Sequence, residues 1–157
     1  RIISGSHRGR QIFPDKSFSA RPTTDFAKEN LFNVLTNYMD LEDISALDLF
    51  SGTGSISYEF ASRGAREIVS IEQNYKHYMF IRRTAKELGF KHIKIYKTDV
   101  FIGDRRQLFD HFAEAAMHIE AVVGVADLFI KAGEKIALFG ENVATAVQPV
   151  DDLRSVQ

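Results

Sequence analysis

A chain of 157 residues with 45% hydrophobic and 26% charged side chains has the composition of one globular domain with enough material for a core. It has no cysteine, which excludes a disulfide framework and a thiolate metal site; it also has no apolar run long enough to span a bilayer and no signal-peptide pattern, so a cytoplasmic protein is expected. The net charge of −1 hides an asymmetry: residues 1–21 carry five basic side chains against Asp15, a balance of +4, whereas from Asp110 onward three basic side chains face eight acidic ones, a balance of −5.

A basic end on a neutral chain points to a polyanion contact there. Arg1, Arg8, Arg10 and Arg21 are the arginines of that end, and guanidinium forks suit phosphate oxygens. Arg1-Ile2-Ile3 and Gln11-Ile12-Phe13 read as short extended segments around a turn-rich stretch with Gly5 and Gly9, so residues 1–21 are expected to form a basic arm or hairpin. Ser17 to Ala20 read as flexible. In Arg21-Pro22-Thr23-Thr24-Asp25 the proline disfavours helix before it, and Thr23, Thr24 or Asp25 can cap a helix after it. Ala27, Leu31, Val34, Leu35 and Tyr38 recur at helical spacing, which predicts an amphipathic helix over 25–38 with Lys28, Asn30 and Asn37 on its wetter face.

Ala46-Leu47-Asp48-Leu49-Phe50-Ser51-Gly52-Thr53-Gly54-Ser55 reads as a buried strand, with Leu47, Leu49 and Phe50 as its apolar residues, running into a glycine turn that opens a helix. Ile56, Tyr58, Phe60 and Ala61 carry that helix to a stop near Arg63-Gly64. Ile68 to Ile71 form a second apolar strand that ends in Glu72, about twenty residues beyond the glycines, the spacing at which an acid meets ribose hydroxyls in a nucleotide-binding βαβ unit. A helix comes next over 74–88, then a third strand, Ile93 to Tyr96, leading to Asp99. This alternation predicts an α/β fold with a parallel sheet, and open sheets of that kind bind ligands at the carboxyl ends of their strands.

Beyond Phe101 the pattern changes. From Asp104 to Ala132 apolar residues keep helical spacing, so helix is the first reading; the alternative makes Ile119 to Ala126 a strand ending at Asp127-Leu128-Phe129. Lys135 to Phe139 is a clear strand, and only about eight residues would separate the two strands, too few for a parallel crossover helix. Val143 to Val147 reads as a short strand or helix, interrupted by Pro149, and Asp151 to Gln157 as a tail. The five histidines have no metal-ligand spacing, so no metal site is expected. The Gly-x-Ser-x-Gly elbow of hydrolases and the Gly-Lys-Ser/Thr ending of NTPase loops are absent. Gly52-Thr53-Gly54 also lacks the third glycine of a nicotinamide fingerprint.

Arg1-Ile2-Ile3-Ser4-Gly5, Arg8-Gly9-Arg10, Arg21-Pro22-Thr23-Thr24-Asp25, Leu31-Phe32-Asn33-Val34-Leu35, Leu47 to Gly54 and Ser62-Arg63-Gly64-Ala65 together resemble the RsmD family. These are bacterial methyltransferases that modify a guanine exocyclic amine in small-subunit ribosomal RNA with S-adenosylmethionine. The resemblance covers about residues 1–101. It implies a Rossmann-like, mostly parallel methyltransferase sheet, within a single α/β domain over 22–157 whose family-like cofactor half is 22–101 and whose divergent half is 102–157. It further implies that Asp48, Ser51, Gly52, Thr53 and Gly54 hold the methionine end of the cofactor, that Glu72 bonds the ribose, that Asp99 and Val100 border the adenine, and that the arm touches RNA. In the family a fourth strand ends in Asp-Pro-Pro-Tyr. The prolines here are Pro14, Pro22 and Pro149, none in such a motif, which leaves Asp127, with Phe129, as the candidate in its place. The alternative is therefore a domain that binds S-adenosylmethionine without transferring its methyl group.

Overall fold

A computed structural model describes residues 1–15, 18 and 23–98 in full, together with the backbone of four further strands within 119–149. The first helix, α1 (Asp25–Tyr38), starts where Thr24 Oγ1 accepts the Ala27 N–H at 3.2 Å and stops at Met39, whose backbone is extended. Phe32 and Leu35 are its buried apolar residues, and the Phe32 ring meets Phe60 edge-on at 4.8 Å. Lys28 departs from the wet face expected of it: it is only 2% exposed. Its ammonium donates to the Arg1 carbonyl and lies 3.5 Å from the Asp25 carboxylate, so the charge is buried with partners.

Next come β1 (Ser45–Asp48), α2 (Ser55–Ser62), β2 (Glu67–Ile71), α3 (Tyr75–Glu87) and β3 (Ile93–Tyr96). β1 is buried along its whole length and ends at Asp48, so Leu49 and Phe50 belong to the turn rather than to the strand. β2 pairs in parallel with β1 (Leu47 opposite Val69) and with β3 (Ile68 opposite Ile93). α2 is buried from Ile56 to Ser62, with Ile56, Tyr58, Phe60 and Ala61 in one core with Phe32, Ile68 and Ile81. α3 buries Phe80, Ile81 and Ala85, and Asn74 caps it by accepting the N–H groups of Lys76 and His77.

The second half corrects the helix expected from Asp104 to Ala132. Its later part is two strands, β4 (Ile119–Val123) and β5 (Asp127–Ala132); residues 104–118 lie outside the described residues. β4 runs parallel to β1, with Val123 opposite Asp48, and supplies a fourth parallel strand beside the glycine turn. β5 turns back antiparallel to β4, so no crossover helix is needed between it and the next strand. β6 (Lys135–Gly140) and β7 (Val143–Pro149) continue antiparallel, which settles Val143 to Val147 as strand. Among the described residues the sheet order is β3-β2-β1-β4-β5-β6-β7: parallel from β3 to β4, and antiparallel beyond, where the sequence led us to expect a mostly parallel sheet.

Residues 1–10 fold back on themselves and dock on α2. The Ile2 N–H donates to the Arg10 carbonyl at 2.9 Å, the Gly9 N–H donates to the Ile2 carbonyl at 2.8 Å, and the Ile2 side chain is buried. Glu59, fully buried in α2, accepts the N–H groups of Ile3 and Ser4 at 2.8 and 3.0 Å and the Arg63 Nε–H at 2.9 Å. Gly5 has φ +79°, and a Cβ there would lie 1.8 Å from the Ser62 carbonyl oxygen.

Candidate functional site

The carboxyl ends of β1 and β2 meet at the glycine turn. The Ser51 N–H donates to the Ile71 carbonyl at 3.0 Å, and the Gly52 N–H donates to Glu72 Oε2 at 2.8 Å. The other carboxylate oxygen, Oε1, accepts the Asn74 N–H at 2.7 Å. Glu72 is thus fixed by one amide on each oxygen, and each oxygen keeps acceptor capacity for a further donor such as a sugar hydroxyl. His77 Nδ1 lies 3.7 Å from Oε1, and the Phe18 ring stacks on His77 at 4.6 Å.

Asp48 lies beneath the turn and is 3% exposed. Ser57 Oγ donates to its Oδ2 at 2.7 Å. A hydroxyl has one proton, so Ser70 Oγ, 2.7 Å from Ser57 Oγ, is the donor in that second contact. The relay Ser70–Ser57–Asp48 therefore ties β2, α2 and β1 together. Burial pushes the Asp48 carboxyl up from 3.8 to about 6; the bonds from Ser57, the Phe50 amide and Ser51 pull the other way, and the charge of Glu72 adds to the rise. Ser51 Oγ also donates to the Asp48 carbonyl at 3.1 Å.

Gly54 is the N-cap of α2, with φ +78°; its carbonyl accepts the Tyr58 N–H, and no side chain caps the helix there. Amides of the first turn of α2 accordingly have no capping side chain and can meet an anionic group. A Cβ on Gly54 would lie 2.6 Å from the Tyr58 ring, so the turn and the helix below it are matched in shape. Thr53 is buried in the same turn. A buried acid, helix amides without a capping side chain and an amide-braced glutamate form a donor and acceptor set that fits a nucleoside carrying an amino acid.

The structure brings Asp48, Ser51, Gly52, Thr53, Gly54 and Glu72 to one end of the sheet. Asp99, Val100 and Arg21 lie outside the described residues. Asp127 opens β5 four residues after Val123 closes β4, at the same end of the sheet. Of the arm's arginines, Arg8 and Arg10 are exposed on the loop, whereas Arg1 Nε is 3.0 Å from Asp25 at the start of α1. Sequence reasoning missed Ser57, Ser70 and Asn74. The two serines carried a faint signal, since each is a small polar residue inside an otherwise apolar buried segment. No group of His, Asp and Glu among the described residues could hold a metal ion.

The sheet order and the turn between β1 and α2 define a Rossmann-like α/β domain of the methyltransferase kind. A solved structure of the candidate methyltransferase yhhF of Escherichia coli superposes with TM-score 0.55 at 28% identity, over 63% of this chain and 52% of that one. A hypothetical protein of Thermus thermophilus superposes with TM-score 0.59 at 25% identity, over 74% and 62%. A family model described as Conserved hypothetical protein 95 matches residues 1–123, and the chain belongs to that family, the RsmD family. The match extends past the expected limit near residue 101 to take in β4.

Among curated proteins, the candidate rRNA methyltransferase YlbH of Bacillus subtilis (strain 168) is 36% identical over 100 residues, 63% of this chain and 53% of its own. Ribosomal RNA small subunit methyltransferase D of Buchnera aphidicola subsp. Acyrthosiphon pisum (strain APS) is 33% identical over 98 residues, 62% of this chain and 50% of its own. The chain spans about half the length of these curated relatives.

Proposed function

We propose that this chain is an S-adenosylmethionine-dependent methyltransferase domain acting on the exocyclic amine of a guanine in small-subunit ribosomal RNA. The observation that carries the reading is the Gly52–Glu72 contact at the joined ends of β1 and β2, in a chain of this family. Glu72 would hold the ribose hydroxyls, and Asp48, Ser51, Gly52, Thr53 and Gly54 the methionine end, with Asp99 and Val100 bordering the adenine. When bound, the cofactor supplies an electrophilic methyl group on sulfur. The chain's own part is to hold the guanine amine in line with that carbon, to exclude water and to accept the amine's proton. Asp127, at the end of the sheet where β1 and β4 finish, is the candidate proton acceptor. A paired guanine must be unstacked to reach the pocket, and the basic arm of residues 1–21 contributes salt-sensitive RNA affinity. Assembling small subunits are cytoplasmic, and so is the proposed site of action.

A second reading has its own observation. β4 is followed by Gly124-Val125-Ala126-Asp127 where the family carries Asp-Pro-Pro-Tyr, and this favours a domain that binds the cofactor without transferring the methyl group. Calorimetry with S-adenosylmethionine and with NAD tests what both readings share: heat with NAD alone removes them together. Labelled methyl transfer to undermethylated small subunits then separates them, since binding without transfer leaves only the second.

A further inference from the structure

A groove of about 260 Å³ lies between the arm and α3, and no residue of the glycine turn lines it. Arg10, Ile12 and Phe13 line it on the arm, and Phe80, Arg83 and Glu87 on α3. Phe13 is 79% exposed, the most exposed of the large apolar side chains among the described residues. The Arg83 guanidinium sits 5.7 Å from the Phe80 ring, with Nε 3.8 Å from Glu87 Oε1. Both partners of that ion pair are about two-thirds exposed, so the pair contributes little and a phosphate can compete for the arginine. Arg10 projects from a fixed backbone, since its N–H donates to the His7 carbonyl at 3.0 Å and its carbonyl accepts from Ile2.

An exposed aromatic ring with two guanidinium groups is the chemistry of single-strand binding: a base stacks on the ring while the cations meet the backbone. A space of about 260 Å³ can take one nucleobase. We propose that this groove holds one unstacked nucleotide of single-stranded RNA, its base on Phe13 and its phosphate between Arg10 and Arg83. Glu87, released from Arg83, becomes an acceptor for the N–H groups of the base edge. The inference rests on the RNA substrate proposed above and extends the contact from the arm to α3, while Arg1 stays with Asp25.

The test is fluorescence anisotropy of the full chain with a labelled mixed-sequence single-stranded oligoribonucleotide and with its duplex. Phe13→Ala is expected to weaken single-strand binding roughly tenfold, with Phe13→Tyr restoring it. Arg83→Gln is expected to make the slope of log affinity against log salt shallower by about 0.7, the value for one phosphate contact on a single strand. Calorimetric binding of S-adenosylhomocysteine should be unchanged in all three variants, which separates this proposal from the cofactor site and reports that the chain is folded. The proposal is overturned if Phe13→Ala and Arg83→Gln bind single strands with native affinity and salt slope, or if the variants weaken duplex and single strand equally. It is also overturned if a polyglutamate peptide binds the native chain and is lost in the same variants, which would point to an acidic protein partner. Loss of S-adenosylhomocysteine binding by the native chain would instead sink the proposed function.

Discussion

The Gly52 amide and the Glu72 carboxylate meet at 2.8 Å although twenty residues of chain separate them. That bond closes the end of β1 onto the end of β2 and sets the acid before any ligand arrives. Pre-setting matters because a carboxylate held in place loses little freedom when a sugar hydroxyl binds to it.

Replacing Glu72 with Gln keeps the size of the side chain and removes its charge. The two amide contacts weaken, and one carboxylate oxygen becomes an amide nitrogen that cannot accept from Gly52 or Asn74. Hydrogen bonds to charged groups contribute roughly 1.5–3 kcal/mol, so S-adenosylhomocysteine affinity should fall on the order of tenfold to a hundredfold. Titration calorimetry measures it; unchanged affinity would remove Glu72 from the site.

Asp48 should make stability and binding oppose each other. Its folded value, about 6, lies above the unfolded 3.8, so the native state keeps a proton that the unfolded chain has already released. The resulting cost is absent below about pH 3.8, grows between the two values and is complete above about 6, where it approaches roughly 3 kcal/mol. Asp48→Asn should therefore raise the denaturant midpoint at pH 7 relative to the native chain and lose that advantage toward pH 4. Affinity for the cationic cofactor should rise through about pH 6 in the native chain and be weak and flat in the variant. Denaturation and calorimetry across that range check both.

The arm should detach when its docking contacts are removed. Glu59→Ala leaves the Ile3 and Ser4 amides without their acceptor and strands Arg63, at a cost of about 3 kcal/mol. Gly5→Ala drives a methyl group into the Ser62 carbonyl and forces a left-handed residue other than glycine. In both variants hydrogen exchange at Ile3, Ser4, Ser6 and His7 should quicken while β1 and β2 stay protected.

Gly54→Ala should damage the turn itself. The new Cβ meets the Tyr58 ring at 2.6 Å on a backbone at φ +78°. Strain of that kind costs roughly 1–3 kcal/mol, and the melting temperature should drop accordingly. Gly54→Ala should cost less in a Tyr58→Leu background than in the native chain, because the clash is gone there and only the strain is left.

Local rules served the first half of the chain well. Thr24 and the repeat from Ala27 to Tyr38 defined α1, and the Glu72 spacing led to the residue that meets Gly52. They failed where tertiary partners decide. Lys28 looked solvated because nothing in its own helix announces the Arg1 carbonyl that receives it. Phe50 looked like strand because the chain bends only once Ser51 finds Ile71 on another element. Ile119 to Ile130 satisfied helical spacing, and the same run also satisfies buried strands, since β-branched and apolar residues serve either. What chose strand was the pairing of β4 with β1, distant in sequence, and of β5 with β6, the strand that follows it.

The docking of residues 1–10 on α2 has a consequence for how the molecule is born. Ile3 waits for an acceptor 56 positions later, and His7 for a carbonyl at Leu88, 81 positions later. Residues 1–10 must therefore stay undocked while the chain up to Glu59 is being made, and they seat fully only after α2 and α3 have been made. A nascent chain stalled before Glu59 should expose Ile2 to chaperones, and one released beyond Leu88 should hide it.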